Sequence, residues 1–202
     1  MAIITRTNIE DYEFNPTLET AIMEYKTPVI LNGKEYLIMD DYWMKHVHIK
    51  ITDKCDAHCP FCIEKNSHVA ENKEKLLASV KQIITELDKQ GHLATVSITG
   101  GEPSLCEYVD EVIDFVKEHN AFLNINTNFS RVIISKEDPD WLNISAHNLR
   151  KDDDKCGVMR NLEAKKLSFF RDLHPFTKIR VQCVLYNDGL KSVKEIDKFI
   201  HE

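Results

Sequence analysis

This sequence lacks three features, and each absence excludes a class of protein. No stretch is apolar over the length needed to cross a membrane, and the first residues lack the apolar core of a secretion signal. Lys and Arg number 26 against 33 Asp and Glu, a formal net charge of −7, which argues against a nucleic-acid-binding surface. Neither an internal repeat nor a low-complexity tract is present. The 202 residues are therefore expected to form a globular protein with a substantial core.

A disulfide framework is also missing, although the chain has six cysteines. Three of them are clustered on one short stretch, and three are scattered through segments with helix or strand patterns. This distribution is typical of reduced thiols rather than of a stapled secreted domain. Together with the missing secretion signal, it predicts a cytoplasmic protein. The clustered set is Cys55, Cys59 and Cys62, and the scattered set is Cys106, Cys156 and Cys183.

The clustered cysteines have the spacing C-x3-C-x2-C and follow a strand-like run. Soft thiolate ligands favour zinc, copper(I) or an iron–sulfur cluster. A structural zinc site usually has two C-x2-C pairs, and no obvious second pair is present here. Three thiolates on a cubane leave one iron free for a ligand that is not protein. The triplet therefore favours such a cluster, and a zinc module completed by His58 or Cys106 is the alternative.

The order of apolar runs predicts an α/β fold. Residues 1–45 are a lead-in with a β-hairpin, because Asn32 and Gly33 lie between two apolar runs. Residues 46–202 alternate strands with segments of helical periodicity. Such crossovers give parallel strands, and curling them produces part of a barrel with its chemistry at the strands' C-terminal ends. The five predicted strands are residues 46–52, 94–99, 121–126, 141–147 and 178–185.

The predicted strands alternate polar and apolar residues, whereas strands covered on both faces are usually apolar throughout. If helices cover the apolar faces, the polar faces line the barrel lumen, which then holds a polar ligand and water. A solvent-exposed face of an antiparallel sheet is the alternative, and the helical crossovers disfavour it. The polar positions on the second to fifth strands are Ser97, Thr99, Asn124, Asn126, Asn143, Ser145, His147, Arg180 and Gln182.

A second motif follows the second strand. Gly100, Gly101, Glu102 and Pro103 form the sequence GGEP where that strand ends. The cysteine triplet stands at the end of the strand before it, and a match to one motif alone is only suggestive. With both motifs at the ends of consecutive strands, the chain resembles the radical S-adenosylmethionine (SAM) superfamily over about residues 46–200.

The resemblance implies an enzyme of oxidoreductase or synthase type with two cofactors. Cys55, Cys59 and Cys62 would hold a [4Fe–4S] cluster whose fourth iron binds SAM. One electron then cleaves SAM to methionine and a 5′-deoxyadenosyl radical, which abstracts hydrogen from a small-molecule or peptide substrate. The protein orients these cofactors and excludes water. An external electron donor such as flavodoxin or ferredoxin is implied, and activation of a glycyl-radical enzyme is an alternative within the superfamily.

The resemblance also implies which residues contact SAM. Gly100 and Gly101 let the backbone approach SAM without a Cβ in the way. Glu102 and the adjacent backbone engage the amino group of SAM. The backbone near Phe61 is expected to contact the adenine. Packing of the cluster loop is the alternative role of Phe61, and one residue can do both. The other predicted cofactor-site residues are Pro103, Asn126, Asn128, Ser145 and Gln182.

The chain departs from the family pattern at two positions. Phe129 follows Thr127 and Asn128 where glycine is common. His147 stands where an acidic residue usually follows Ser145, which weakens the expectation of a ribose contact there.

The strand count is a further departure. A full barrel of this family is a (β/α)6 barrel, and only five strands are counted here. An open parallel edge is a liability, so we expect the lead-in hairpin, a partner, or a segment beyond an incomplete C-terminus to close it. No cysteine-rich extension for auxiliary clusters follows residue 200.

Overall fold

The chain forms a two-stranded hairpin and a separate sheet of five parallel strands. The computed structural model describes residues 26–31, 34–39, 46–63, 72–91, 93–148, 154–186 and 192–201. In the hairpin, β1 (Lys26–Leu31) pairs antiparallel with β2 (Lys34–Met39), and Leu31 lies opposite Lys34. The two strands thus lie on either side of the Asn-Gly dipeptide, which itself lies outside the described residues. The rest of the lead-in lies outside the described residues.

The five-stranded sheet has the strand order β3-β4-β5-β6-β7, with every neighbouring pair parallel. The predicted α/β class and the number of parallel strands are thus confirmed, although β6 and β7 end earlier than predicted. In chain order the elements are β3 (His46–Lys50), α1 (Lys73–Lys89), β4 (Thr95–Thr99), α2 (Val109–Glu118), β5 (Phe122–Thr127), β6 (Trp141–Ser145), α3 (Ala164–Leu173), β7 (Lys178–Gln182) and α4 (Val193–His201).

Helices cover the apolar face of the sheet, as the alternation predicts. On α1 and α2 the buried residues recur at helical spacing, and they belong to one core with the apolar strand positions. This packing leaves the polar strand positions on the opposite face. The helices contribute Leu76, Val80, Ile83, Ile84, Leu87, Val109, Val112, Ile113 and Val116, and the strands contribute Val47, Ile49, Val96, Ile98, Leu123, Ile125, Leu142 and Ile144.

The connection from β5 to β6 has no helix and is held by α2 instead. The backbone N–H of Ile134 donates to Asp110 at 3.1 Å, and that of Lys136 donates to Asp114 at 2.9 Å. Phe129, at the start of this connection, has a φ of 61°, in the left-handed region that favours glycine. Its ring is fully buried, and we infer that this burial offsets the backbone strain at a position where the family commonly has glycine.

The hairpin does not close the open edge of the sheet. Among the described residues β1 and β2 pair only with each other, and β1 contacts α1. At the other end of the sheet, β7 has no strand beyond it in the described part of the chain, and Val181 on it is exposed. Of the three expected ways to close this edge, the described strands of the hairpin do not provide the first, and a partner or a further segment stays a prediction.

One residue anchors α3 to the core, which leads to a first prediction. Within this helix only Phe170 is buried, at 0% exposure, and its ring lies 5.9 Å edge-on from that of Phe129. Replacing it creates a cavity, so we expect Phe170→Ala to lower the free energy of unfolding by about 3–5 kcal/mol in urea titrations. The neighbouring Phe169 is 53% exposed, and Phe169→Ala should cost about 0.5 kcal/mol. Equal losses would mean that α3 is not held by this contact.

Candidate functional site

The two sequence motifs are joined by backbone hydrogen bonds. The N–H of Gly101 donates to the carbonyl of Thr52 at 2.7 Å, and the N–H of Glu102 donates to the carbonyl of Lys54 at 2.7 Å. The pairing between β3 and β4 thus continues beyond the ends of both strands. As a result, the GGEP motif fixes the backbone that leads directly into the cysteine loop.

The two glycines are required by this close approach. A Cβ on Gly100 would lie 2.8 Å from the carbonyl oxygen of Thr52, and one on Gly101 would lie 2.6 Å from that of Asp53. These distances are shorter than non-bonded atoms tolerate, and the neighbouring atoms are backbone. The chain's own packing therefore accounts for both glycines, whereas their approach to SAM stays a prediction.

Glu102 is buried, at 1% exposure, and connects three segments. Its carboxylate accepts hydrogen bonds from the backbone N–H of Ser104 at 2.9 Å, from the Thr127 hydroxyl, and from the backbone N–H of Asn128 at 2.5 Å. Burial raises the pKa of this carboxyl, and the hydrogen bonds oppose that shift. The Ser104 side chain is the first of these hydrogen bonds by its effect on the pKa, and the contact of Glu102 with an amino group stays a prediction.

Asp56, between the first two cysteines, is the second polar centre of the site. Its carboxylate accepts from Asn128 Nδ2 at 2.8 Å and from Asn161 Nδ2 at 3.4 Å, and it lies 3.3 Å from the Arg160 guanidinium. Burial raises the pKa of Asp56, but hydrogen bonds led by those from Ser130 and Asn128 outweigh it and hold the pKa at about 2. Asp56 therefore stays ionised and fastens the cysteine loop to the ends of β5 and of the 154–161 segment.

The cysteine loop carries three thiols without a disulfide. Cys55 is exposed, whereas Cys59 and Cys62 are half-buried. Burial, with a smaller effect of the neighbouring Cys156 thiol, raises the pKa of Cys59 to about 12, so binding of a metal or cluster must release its proton. Among the described residues, no three Cys, His, Asp or Glu side chains group closely enough to hold a single metal ion. Three reduced thiols on one partly exposed loop fit the donor set of an iron–sulfur cluster.

Aromatic residues pack against one side of this loop. The Phe61 ring lies 4.9 Å from that of Tyr186 and 5.0 Å from that of His147. Buried Cys156 accepts a backbone hydrogen bond from His58 at 2.8 Å, and its thiol donates to the Tyr186 hydroxyl at 3.5 Å. Phe61 therefore packs the loop, which sequence reasoning had left open as the alternative, while the contact of its backbone with adenine stays a prediction.

His147 links the exits of β6 and β7. It is buried, and its Nδ1 accepts the backbone N–H of Val184 at 3.1 Å. Burial lowers the pKa of His147, so the ring is neutral at neutral pH and carries its proton on Nε2. The family's usual acidic residue would supply a charged acceptor at this position, whereas His147 supplies a neutral ring.

The other predicted contact residues fall into two groups. Asn128 is buried and its amide is already bonded within the site, whereas Asn126 accepts a hydrogen bond from Asn143 at 3.1 Å on the polar face of the sheet. Ser145 and Gln182 are register partners at the ends of β6 and β7, with Ser145 half-buried and Gln182 exposed. Pro103 is buried at the start of a 3-10 turn, Pro103–Leu105.

Sequence reasoning missed several members of the site. Asp56, Arg160 and Asn161 bond across the loops, and Cys156 and Tyr186 pack beside Cys59 and Phe61. Only the position of Asp56 between two cysteines offered a signal in the sequence, because the other contacts join residues far apart in the chain.

A second prediction tests the close approach of the two motifs. Gly101→Ala places a methyl group against backbone oxygens, so we expect a loss of about 2–3 kcal/mol in stability and faster reaction of Cys59 with a thiol reagent. Gly91→Ala is the matched control, because Gly91 has φ of +68° and no neighbour within 4 Å. It should cost about 1 kcal/mol and leave the labelling rate unchanged. Identical labelling in both variants would contradict the role of Gly101.

Comparison with curated proteins finds relatives that cover part of this chain. It is 26% identical over 110 residues to a probable GTP 3′,8-cyclase of Thermococcus kodakarensis, covering 52% of this chain and 36% of that protein. It is 27% identical over 157 residues to an S-adenosylmethionine-dependent nucleotide dehydratase of Selenomonas ruminantium, covering 70% of this chain and 56% of that protein. The chain thus spans between a third and about half of the length of these relatives.

Comparison with solved structures shows the fold, and a separate family profile shows the superfamily. SuiB of Streptococcus suis matches 98% of this chain and 44% of its own at 21% identity, with TM-scores of 0.55 bound to S-adenosylmethionine and 0.61 bound to its precursor peptide SuiA. The fold is a partial TIM-like barrel, as predicted. The profile of the Radical SAM superfamily matches residues 49–169, more than half of the sequence. The chain belongs to the radical SAM superfamily.

Proposed function

We propose that this protein uses a [4Fe–4S] cluster and SAM to abstract hydrogen from a small-molecule or peptide substrate. The observation that carries the proposal is the backbone ladder that joins GGEP to the cysteine loop through Gly101 and Glu102. When bound, the cluster and SAM supply reductive cleavage and radical chemistry. Cys55, Cys59 and Cys62 would hold the cluster, and residues 100–103 would hold the methionine part of SAM.

The contacts of the described residues suit this task. The ladder and the Asp56 hydrogen bonds fix the cysteine loop from two sides, which keeps the thiols in place while ligands bind. The buried carboxylate of Glu102 is an acceptor that suits an ammonium group. Phe61, His147 and Tyr186 shield one side of the loop from water. Orientation and exclusion of water are the functions that radical chemistry requires of the protein.

The names of similar proteins support two classes of substrate. The curated relatives act on GTP or on a nucleotide by name, and SuiB was solved with a precursor peptide. The zinc-module alternative gains no support, because a zinc site gives no reason for GGEP to pair with the cysteine loop. Activation of a glycyl-radical enzyme likewise has no contact in the described residues that favours it.

We also propose an external one-electron donor and a reducing, cytoplasmic setting. Cys55 is exposed, so a donor such as flavodoxin or ferredoxin can approach the cluster loop. All six cysteines are free thiols. In the part of the chain that the structure describes, no helix has the length and apolar character of a membrane span.

A third prediction tests the cofactors directly. After anaerobic reconstitution with iron and sulfide, the reduced protein should give the EPR signal of a [4Fe–4S] cluster, and SAM should shift it. Cys59→Ala should abolish the signal, because the cluster loses a thiolate. Cys183→Ala is the matched control, since Cys183 is also half-buried but lies outside the triplet, and it should keep both signal and shift. A colourless protein with bound zinc, or a signal indifferent to SAM, would overturn the proposal.

A further inference from the structure

A row of polar residues crosses the sheet at one level. The parallel register pairs Lys50 with Thr99, Asn126 with Asn143, and Asn143 with Arg180. The residues just before Thr99 and Asn126 are also register partners, so the row runs across all five strands. Lys50 and Thr99 are the last residues of β3 and β4, from which the cysteine loop and GGEP follow. The row therefore lies directly beneath the proposed cofactor site.

Asn143, within this row, has a buried acceptor without a partner. The residue is 6% exposed, and its Nδ2 donates to Asn126 Oδ1 at 3.1 Å. Its own Oδ1 is buried and accepts no hydrogen bond from any described residue. Leaving a buried polar atom without a hydrogen bond is costly, so such groups usually bind a water or a ligand. The Oδ1 accepts only, and its partner must therefore be a hydrogen-bond donor.

Arg180, the neighbour of Asn143 in the row, presents a positive charge that is held in place. Its guanidinium carbon lies 4.0 Å from the centre of the Trp141 ring, and Lys178 Nζ lies 5.7 Å from the same ring. Trp141 precedes Asn143 by two residues on β6, so both side chains are on one face of the sheet. Stacking fixes the plane of the guanidinium. No described carboxylate forms an ion pair with Arg180, in contrast to Lys50, which is paired with Asp53 at 2.7 Å.

We propose that Arg180, stacked on Trp141, and Asn143 bind a substrate that carries a carboxylate or phosphate next to a hydroxyl or amino group. The guanidinium fork matches either anion with two parallel hydrogen bonds, and Asn143 Oδ1 accepts from the adjacent donor. This inference rests on the proposed function, because the site would present the substrate from below the cofactors. It names the chemical class of substrate that the position selects.

The negative net charge of the chain disfavours anion binding at most of the surface and so favours the position of Arg180. A formal net charge of −7 repels anions from most of the surface. An anion that binds therefore needs a local cation without an ion-pair partner, and no carboxylate in the described part of the chain pairs with Arg180. The amides of Asn126 and Asn143 beside it add no competing negative charge.

The fourth prediction is tested by fluorescence of the full chain. Of the two tryptophans, Trp43 is replaced by Phe so that Trp141 alone reports. Glycolate, acetate and inorganic phosphate are titrated separately at constant ionic strength with chloride. We expect saturable changes in Trp141 emission, with glycolate tighter than acetate because its hydroxyl donates to Asn143. Comparing glycolate with phosphate shows which anion the site prefers.

Two variants and a control decide the outcome. Arg180→Gln should weaken glycolate binding by about tenfold or more, because a charge-assisted pair of hydrogen bonds is lost. Lys178→Gln is the matched control on the same strand and near the same ring, and it should change the affinity far less. Asn143→Ala should remove the advantage of glycolate over acetate while acetate still binds. Circular dichroism confirms that each variant is folded.

The proposal is overturned by any of three results. These are an unchanged affinity in Arg180→Gln, a glycolate preference that survives in Asn143→Ala, or a response that chloride alone reproduces. The titration needs neither cluster nor SAM, so its failure would leave the EPR test of the cofactors intact. Conversely, binding of anions together with a missing [4Fe–4S] signal would overturn the proposed function alone.

Discussion

The site depends on the backbone pairing that carries β3 and β4 beyond their last residues. Because Gly101 and Glu102 donate to carbonyls just before Cys55, the position of the cysteine loop follows from that of the sheet. Glycine makes this possible, since a Cβ at residue 100 or 101 would meet backbone oxygen. A loop fixed by its backbone keeps three thiols in place without help from their side chains. Preorganisation of this kind reduces what cofactor binding must contribute to order the site.

Two carboxylates, those of Glu102 and Asp56, connect the end of β5 to the GGEP motif and to the cysteine loop. Glu102 accepts from Asn128 and Thr127 at the end of β5, and Asn128 donates in turn to Asp56 within the cysteine loop. The ends of three strands therefore fix one another. Burying a carboxylate such as Glu102 is costly unless its oxygens are hydrogen-bonded, so none of these segments can move away without exposing an unpaired charge. These hydrogen bonds explain why Asn128 is buried within the protein, although the sequence predicted that it contacts a cofactor.

Local sequence patterns were enough to predict the helices and strands, but they did not predict the contacts between loops. The hairpin followed from Asn32-Gly33, the helices from their apolar spacing, and the family from the cysteine triplet with GGEP. Asp56 was signalled only by its position between two cysteines, and its contacts were not predictable because its partners Asn128 and Arg160 are far away in the chain. Phe129 was noted only as a departure, and its compensation by burial against Phe170 needs three-dimensional packing. The two glycines were recognised as part of a motif, and the contacts that require them are with the protein's own backbone, which the sequence does not reveal.

Strands β3–β5 and strands β6–β7 differ in how their polar side chains are paired. The first group suits holding a cluster, and the second suits binding a substrate. On the β3–β5 side the polar groups described above are paired: Lys50 with Asp53, Glu102 with three donors, and Asp56 with amides and a guanidinium. On β6 and β7, Asn143 Oδ1 has no hydrogen-bond partner and Arg180, stacked on Trp141, has no carboxylate partner among the residues that the structure describes. A site that must hold a cluster benefits from closed contacts, because any movement would displace the thiols. A site that admits and releases a substrate needs groups whose partners come from the ligand, and β7 at the open edge is where a ligand can reach them.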